Sequence, residues 1–213
     1  MNRKIGNYTL LQIAAHIGSW IPLVYMVFDL LTKSYGPDPI REFTLRTGKT
    51  ALILLMLSLA CTPFSTVTAY KGVLKLRRPL GLYSFMYASI HFAIFIGVDY
   101  FFDFELIQDA LLEKRYAIIG LTTGIILLIL AVTSNKFSQR RLKKNWKKLH
   151  LLAYAAGALA VLHFIWLVKQ GVPEPWFYAA LLGFLFLLRV KPIKDWVQTM
   201  RKKIGKTGKK ARA

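Results

Sequence analysis

Charge-free apolar stretches alternate with short charged segments along almost the whole chain. They cover residues 5–28, 50–70, 79–98, 116–135 and 149–168. Each meets the roughly 18–25 residues that a transmembrane helix requires. A sixth stretch, residues 175–188, is shorter. It is expected to span with help from residues 170–174 and with Arg189 reaching out to the headgroups. The pattern predicts an all-α integral membrane protein, a six-transmembrane-helix bundle over residues 1–190 with a basic tail over 191–213. No room is left for a separate soluble domain.

Local signals sharpen these elements. The segment after the first run has Pro and Gly punctuation and ends in Thr47-Gly48 before the second helix. Pro63 inside the second run predicts a kink whose freed carbonyl is satisfied by Ser or Thr side chains or a neighbouring helix. Pro79 suits the first residue of the third helix. The acidic and aromatic segment DYFFDFELIQDALLEKRY, which begins at Asp99, predicts a short interfacial helix or a solvated loop. The fourth run has no ionisable group and serves as scaffold. Trp146 and Trp166 bracket the fifth as interfacial anchors.

Composition agrees with the pattern: 55% of residues are hydrophobic and the net charge is +20, with a mean hydropathy of +0.41. The charge is distributed by segment. With the N-terminus cytoplasmic, 23 of the 30 basic residues fall on the cytoplasmic side, and of the acids only Asp195 does. The inside-positive bias therefore predicts an N-in, C-in topology. It also turns the basic excess toward membrane lipids and away from nucleic acid. Cys61 is the only cysteine, which excludes an intrachain disulfide and cysteine-ligated iron–sulfur or zinc sites. The first run is too long for a signal-peptide core and is expected to remain as an anchor.

Four histidines carry the candidate chemistry. An ionisable group within a membrane span is a functional candidate by default, although membrane helices also use histidine to hydrogen-bond a neighbour. His91 lies in the outer half of the third run and His163 in the outer half of the fifth, at similar depth. Two imidazoles so placed suit the two faces of one haem. His150 lies thirteen residues before His163, roughly 20 Å along a helix axis and about 140° around it. It needs a helix wound differently, tilted, or starting after it to face the same cavity. As a ligand of a second haem it has only His16, in the cytoplasmic half of the first run, as a possible partner. Otherwise it meets a propionate, a quinone or a flavin. His16 alone suits a packed, hydrogen-bonded histidine. Arg77 and Arg78 suit inside-positive loop charges, or partners for propionate or phosphate. No glycine-rich nucleotide loop is present, so NAD(P)H is not expected to bind.

The ordered set DPI…TGKTAL (38–52), CTPF (61–64), LRRPLGLYSFMYASIH (76–91), RRLKKNWKKLHLLAY (140–154) and LHFIWLVK (162–169) resembles the MsrQ (YedZ) family. That family belongs to the wider ferric reductase-like transmembrane group. The resemblance implies a b-type cytochrome in the bacterial inner membrane that performs no substrate chemistry itself. Electrons would come from the quinone pool or a cytoplasmic flavin reductase. They would pass through haem b to a periplasmic molybdopterin-containing reductase subunit that repairs methionine sulfoxide. It implies His91 and His163 as axial haem ligands, His150 as a further motif histidine, and FMN as a second cofactor without assigned residues. Many members have a histidine just before the Thr-Gly pair, where this chain has Leu45-Arg46, so that role does not carry over. Two alternatives stand beside this: a ferric reductase-like electron carrier with another acceptor, and a cofactor-free transporter whose histidines relay protons or bind a metal.

Overall fold

The computed structural model describes residues 4–5, 8–169 and 171–210. Arg3 and Arg212, counted above among the cytoplasmic charges, and residue 170 and the last three tail residues lie outside the described residues. A two-residue antiparallel pairing, β1 (Lys4–Ile5) with β2 (Tyr8–Thr9), leads into α1 (Leu10–Leu31). Thr9 and Gln12 form a reciprocal capping box there, which satisfies the first free amides of the helix. α2 (Pro39–Thr68) starts under an Asp38 cap that accepts from the Arg41 amide at 3.0 Å, with Pro39 at its first position.

A 3₁₀ turn over Lys71–Leu76 precedes α3 (Arg77–Ile94), and a π turn over Phe95–Asp99 ends it. Pro79 sits in the first turn of α3 and does not open it. The acidic segment contains α4 (Phe104–Glu113), capped by Asp103. Beside it the Lys114 ammonium donates to Tyr100 Oη at 2.9 Å, and this bond raises the lysine pKa. α5 (Arg115–Val132), α6 (Lys136–Leu142), α7 (Lys144–Leu149), α8 (Leu152–Leu167), α9 (Glu174–Leu187) and α10 (Lys191–Lys210) follow.

Five helical segments among the described residues are long and apolar enough to cross a membrane. The count becomes six if α9 and α10, bent by 74°, are taken as one span. The chain is a multi-pass membrane protein. Its 30-residue α2 is the hub: it packs on α3 most extensively and also meets α1, α8, α9 and α10. One apolar cluster joins Leu52, Leu55, Met56 and Leu59 of α2 to Leu127, Ala156, Val161, Tyr178, Leu182 and Leu185. A second joins Ala51, Leu54 and Cys61 to Leu80 and Tyr87.

At both intrahelical prolines a side chain from a distant part of the chain bonds the helix backbone. In α1, Pro22 interrupts the ladder, and the fully buried Tyr87 of α3 inserts its hydroxyl there. It accepts from the Leu23 amide at 3.0 Å and donates to the Ser19 carbonyl at 2.7 Å. Tyr87→Phe removes the bridge between these two groups and is expected to cost about 1–3 kcal/mol. An unchanged thermal unfolding midpoint in detergent would contradict this role for Tyr87.

In α2, Pro63 has no amide for the Leu59 carbonyl, and Arg189 Nη2 donates to that oxygen instead. The partner is thus a guanidinium from beyond α9 and not a hydroxyl of α2. This also corrects the expected placement of Arg189. Its side chain turns inward, donates to Tyr154 Oη through Nη1, and stacks 4.7 Å from the Tyr154 ring centre. A buried orphan carbonyl attracts a donor more strongly than the headgroups attract the charge.

Candidate functional site: a pair of histidines

α3 carries His91 and α8 carries His163, and packing against α2 and α5 sets how each ring lies. Thr44 and Gly48 are four residues apart, hence on one face of α2. The His91 Nδ1 lies 2.9 Å from the Thr44 carbonyl. A β-carbon on Gly48 would stand 3.0 Å from the same nitrogen. The second half repeats the arrangement on α5: His163 Nδ1 lies 2.7 Å from the Tyr116 carbonyl. A β-carbon on Gly120 would come within 2.8 Å of His163 Cε1. In both cases a glycine one turn past the carbonyl lets the imidazole lie against the helix backbone.

A carbonyl only accepts, so each Nδ1 carries the proton and each Nε2 keeps a lone pair. This is the tautomer a metal-binding imidazole needs, with the other nitrogen anchored to a backbone oxygen. The ring centres are 6.3 Å apart and the planes cross at 89°. Two metal–imidazole bonds of about 2 Å, plus about 1 Å from each nitrogen to its ring centre, give a similar separation of roughly 6 Å. No group of three or more His, Cys, Asp or Glu side chains comes together among the described residues. Two imidazoles this close, without a third protein ligand among the described residues, could hold a metal that brings its own remaining ligands, as haem iron does.

The other two histidines are engaged elsewhere. His150 ends α7, stacks 4.1 Å from the Trp146 ring and places Nε2 3.2 Å from Thr133 Oγ1. Trp146 in turn donates to the Thr133 carbonyl at 2.9 Å, which closes the end of α5. His16 places Nδ1 2.9 Å from Tyr83 Oη, between the rings of Tyr8 and Tyr83. Among the described residues no hydrogen bond or ring contact joins His16 to His150. Between α7 and α8 the helix breaks at His150, where the amides of Leu151, Ala153 and Tyr154 bond three residues back. Such 3₁₀ winding adds about 20° per residue and narrows the angle between His150 and His163.

Arg46 lies on the opposite face of α2 from Thr44 and Gly48. It pairs with the buried Asp29 at 2.5 Å, approaches Glu42 at 3.6 Å and covers the Tyr35 ring at 4.6 Å. Lys49 pairs with Glu174 at the start of α9. The groups that orient the two histidines are backbone carbonyls and glycines, which carry little sequence signal. Gly48, expected just before the second helix, lies inside α2, which begins at Pro39, and Gly120 is one small residue in the apolar run of α5.

Residues 47–161 match the family model described as ferric reductase like transmembrane component. This span contains α3 with His91, and α5; it begins after Thr44 and ends two residues before His163. The fold and the match define the chain as a ferric reductase-like transmembrane component. Among curated proteins, it is 41% identical over 166 residues to "Protein-methionine-sulfoxide reductase heme-binding subunit MsrQ" of Xanthomonas axonopodis pv. citri. That alignment covers 78% of this chain and 76% of the relative. Proteins of the same name from Xanthomonas campestris pv. campestris are 43% identical over 155 residues (73% and 71%). The Rhodospirillum rubrum protein of that name is 36% identical over 182 residues (85% and 88%). No solved structure matches the chain. It belongs to the MsrQ family.

Proposed function

We propose that the chain is a b-type cytochrome, the electron-delivering membrane subunit of a protein-methionine-sulfoxide reductase. Haem b would be held between the third and fifth membrane helices by His91 and His163. One observation carries the reading: two imidazoles 6.3 Å apart, each with Nδ1 engaged by a backbone carbonyl. The relatives' names, which specify a haem-binding subunit, support the same cofactor. Bound haem supplies a one-electron carrier inside hydrocarbon. The residues of the chain hold it there. The Thr44 and Tyr116 carbonyls fix the tautomers and make each Nε2 more basic. Gly48 and Gly120 leave the space in which the rings lie.

In this reading residues 1–190 form the membrane domain and 191–213 a cytoplasmic basic tail, N-in and C-in, in the bacterial inner membrane. Electrons enter from the quinone pool or a cytoplasmic flavin reductase and leave to a periplasmic molybdopterin subunit. His150 serves a cytoplasmic-side cofactor or substrate group, such as a propionate, a quinone or a flavin. His16 is its only histidine candidate for a shared haem and is held by Tyr83. FMN is carried as a second cofactor, with no residues assigned.

The deciding test is the dithionite-reduced minus oxidised visible spectrum of the detergent-purified protein, with haem quantified per chain. A low-spin b-type spectrum with a single haem per chain is expected. Protein free of haem, from cells given ample iron and haem precursor, would end the cytochrome reading.

A further inference from the structure

At the basic end of the bundle, where α9 turns into α10, a cleft of about 410 Å³ opens. Thr62 and Thr66 of α2, Tyr154 of α8, and Phe186, Arg189 and Lys194 line it. Arg189 is held rigidly by Tyr154 Oη and the Leu59 carbonyl, as described above. Its Nε is buried without a hydrogen-bond partner, and so is Thr62 Oγ1. Among the described residues no carboxylate pairs with Arg189. The ion pairs among the described residues are those of Arg46 and Lys49. Asp195, the one acid on this side, is exposed. Lys194 adds a second positive charge at the rim. Arg201 adds a third close by, donating to the Thr66 carbonyl at 2.7 Å.

A half-buried guanidinium without a counter-charge is costly in a low-dielectric setting. The ligand that relieves the cost is an anion rich in acceptor oxygens, since the unpartnered groups beside the cleft are the Arg189 Nε–H, which only donates, and the Thr62 hydroxyl, which can donate. The other walls are apolar or aromatic, formed by Pro63, Phe186 and Leu188, and suit a hydrocarbon chain. A neutral ring would leave the charge unmet, and a soluble phosphate ester would leave the apolar walls unused. Basic clefts between membrane helices hold anionic headgroups in this way. We propose that the cleft between α2, α8 and the α9–α10 turn binds the phosphate of an anionic phospholipid, with an acyl chain along Phe186 and Leu188. The site then clamps α10 against the bundle. The inference rests on the proposed reading only for the leaflet, which is the cytoplasmic one.

The test is native mass spectrometry of the full chain in mild detergent, titrated with phosphatidylglycerol or phosphatidylcholine. Phosphatidylglycerol is expected to bind preferentially. Lys194→Glu, which leaves the Arg189 clamp intact, is expected to weaken it about tenfold without moving the unfolding midpoint of the lipid-free protein. Equal binding of the two lipids would overturn the proposal, as would undiminished phosphatidylglycerol binding by Lys194→Glu. Displacement of the lipid by inorganic phosphate alone would also overturn it, in favour of a soluble phosphate ester. Lipid occupancy is read independently of haem, so failure of the cytochrome reading and failure of this site are separable.

Discussion

His163→Ala and His91→Ala are each expected to yield folded protein that has lost its haem. Losing an outer-shell partner of a metal ligand costs about 10–100-fold in affinity, and losing the ligand itself costs more. The bundle itself should survive. Each histidine is only partly buried, and its one protein hydrogen bond, worth about 1 kcal/mol, ends on a backbone carbonyl. The measurement is haem per chain together with the visible spectrum, beside a thermal unfolding curve. His150→Ala is the internal control. Its ring touches Trp146 and Thr133 but neither His91 nor His163, so it should retain the haem between them. If both His91→Ala and His163→Ala keep haem with unchanged spectra, the axial assignment is lost.

Gly120→Ala is expected to disturb the same site without removing any ligand. The added β-carbon would stand 2.8 Å from His163 Cε1 and 2.9 Å from Nδ1, closer than non-bonded atoms tolerate. The imidazole must move off the Tyr116 carbonyl, or α5 must move away from α8. Such overpacking costs about 1–3 kcal/mol. Either movement alters the ligand's anchor, so haem retention falls or the reduction potential shifts. Gly124, one turn further along α5, has nothing within 4 Å of an added β-carbon. Gly124→Ala is therefore expected to be neutral, or stabilising by up to about 1 kcal/mol through helix propensity. The contrast between the two substitutions is the readout. A Gly120→Ala protein indistinguishable from Gly124→Ala in haem content and potential would show that His163 does not depend on the close approach of α5.

Much of the architecture is legible in the chain itself. Runs of about twenty uncharged apolar residues are helices in a bilayer, because only a helix satisfies every backbone amide within its own segment and barrel strands are about half that length. The same runs place His91 and His163 at a common level, because rise per residue is constant along a helix. Their residue type suggests a ligand pair, and the motif set points to the family that the matches then establish.

What the chain alone left open depends on which helices touch. The apolar runs do not show which of them is the hub; the tertiary structure gives that place to α2, which packs on α1, α3, α8, α9 and α10. Pro63 announced an orphan carbonyl, but only the path of the chain past α9 supplies Arg189 as its donor. Tyr87 was one aromatic among many until α3 packed beside the gap at Pro22. The tautomers of both histidines were likewise undetermined, because they are set by the carbonyls of Thr44 and Tyr116, atoms every residue possesses. Periodicity and hydropathy record how each segment meets its solvent. Pairing between helices is decided by shape and by backbone groups left unsatisfied, and these exist only once the helices are together.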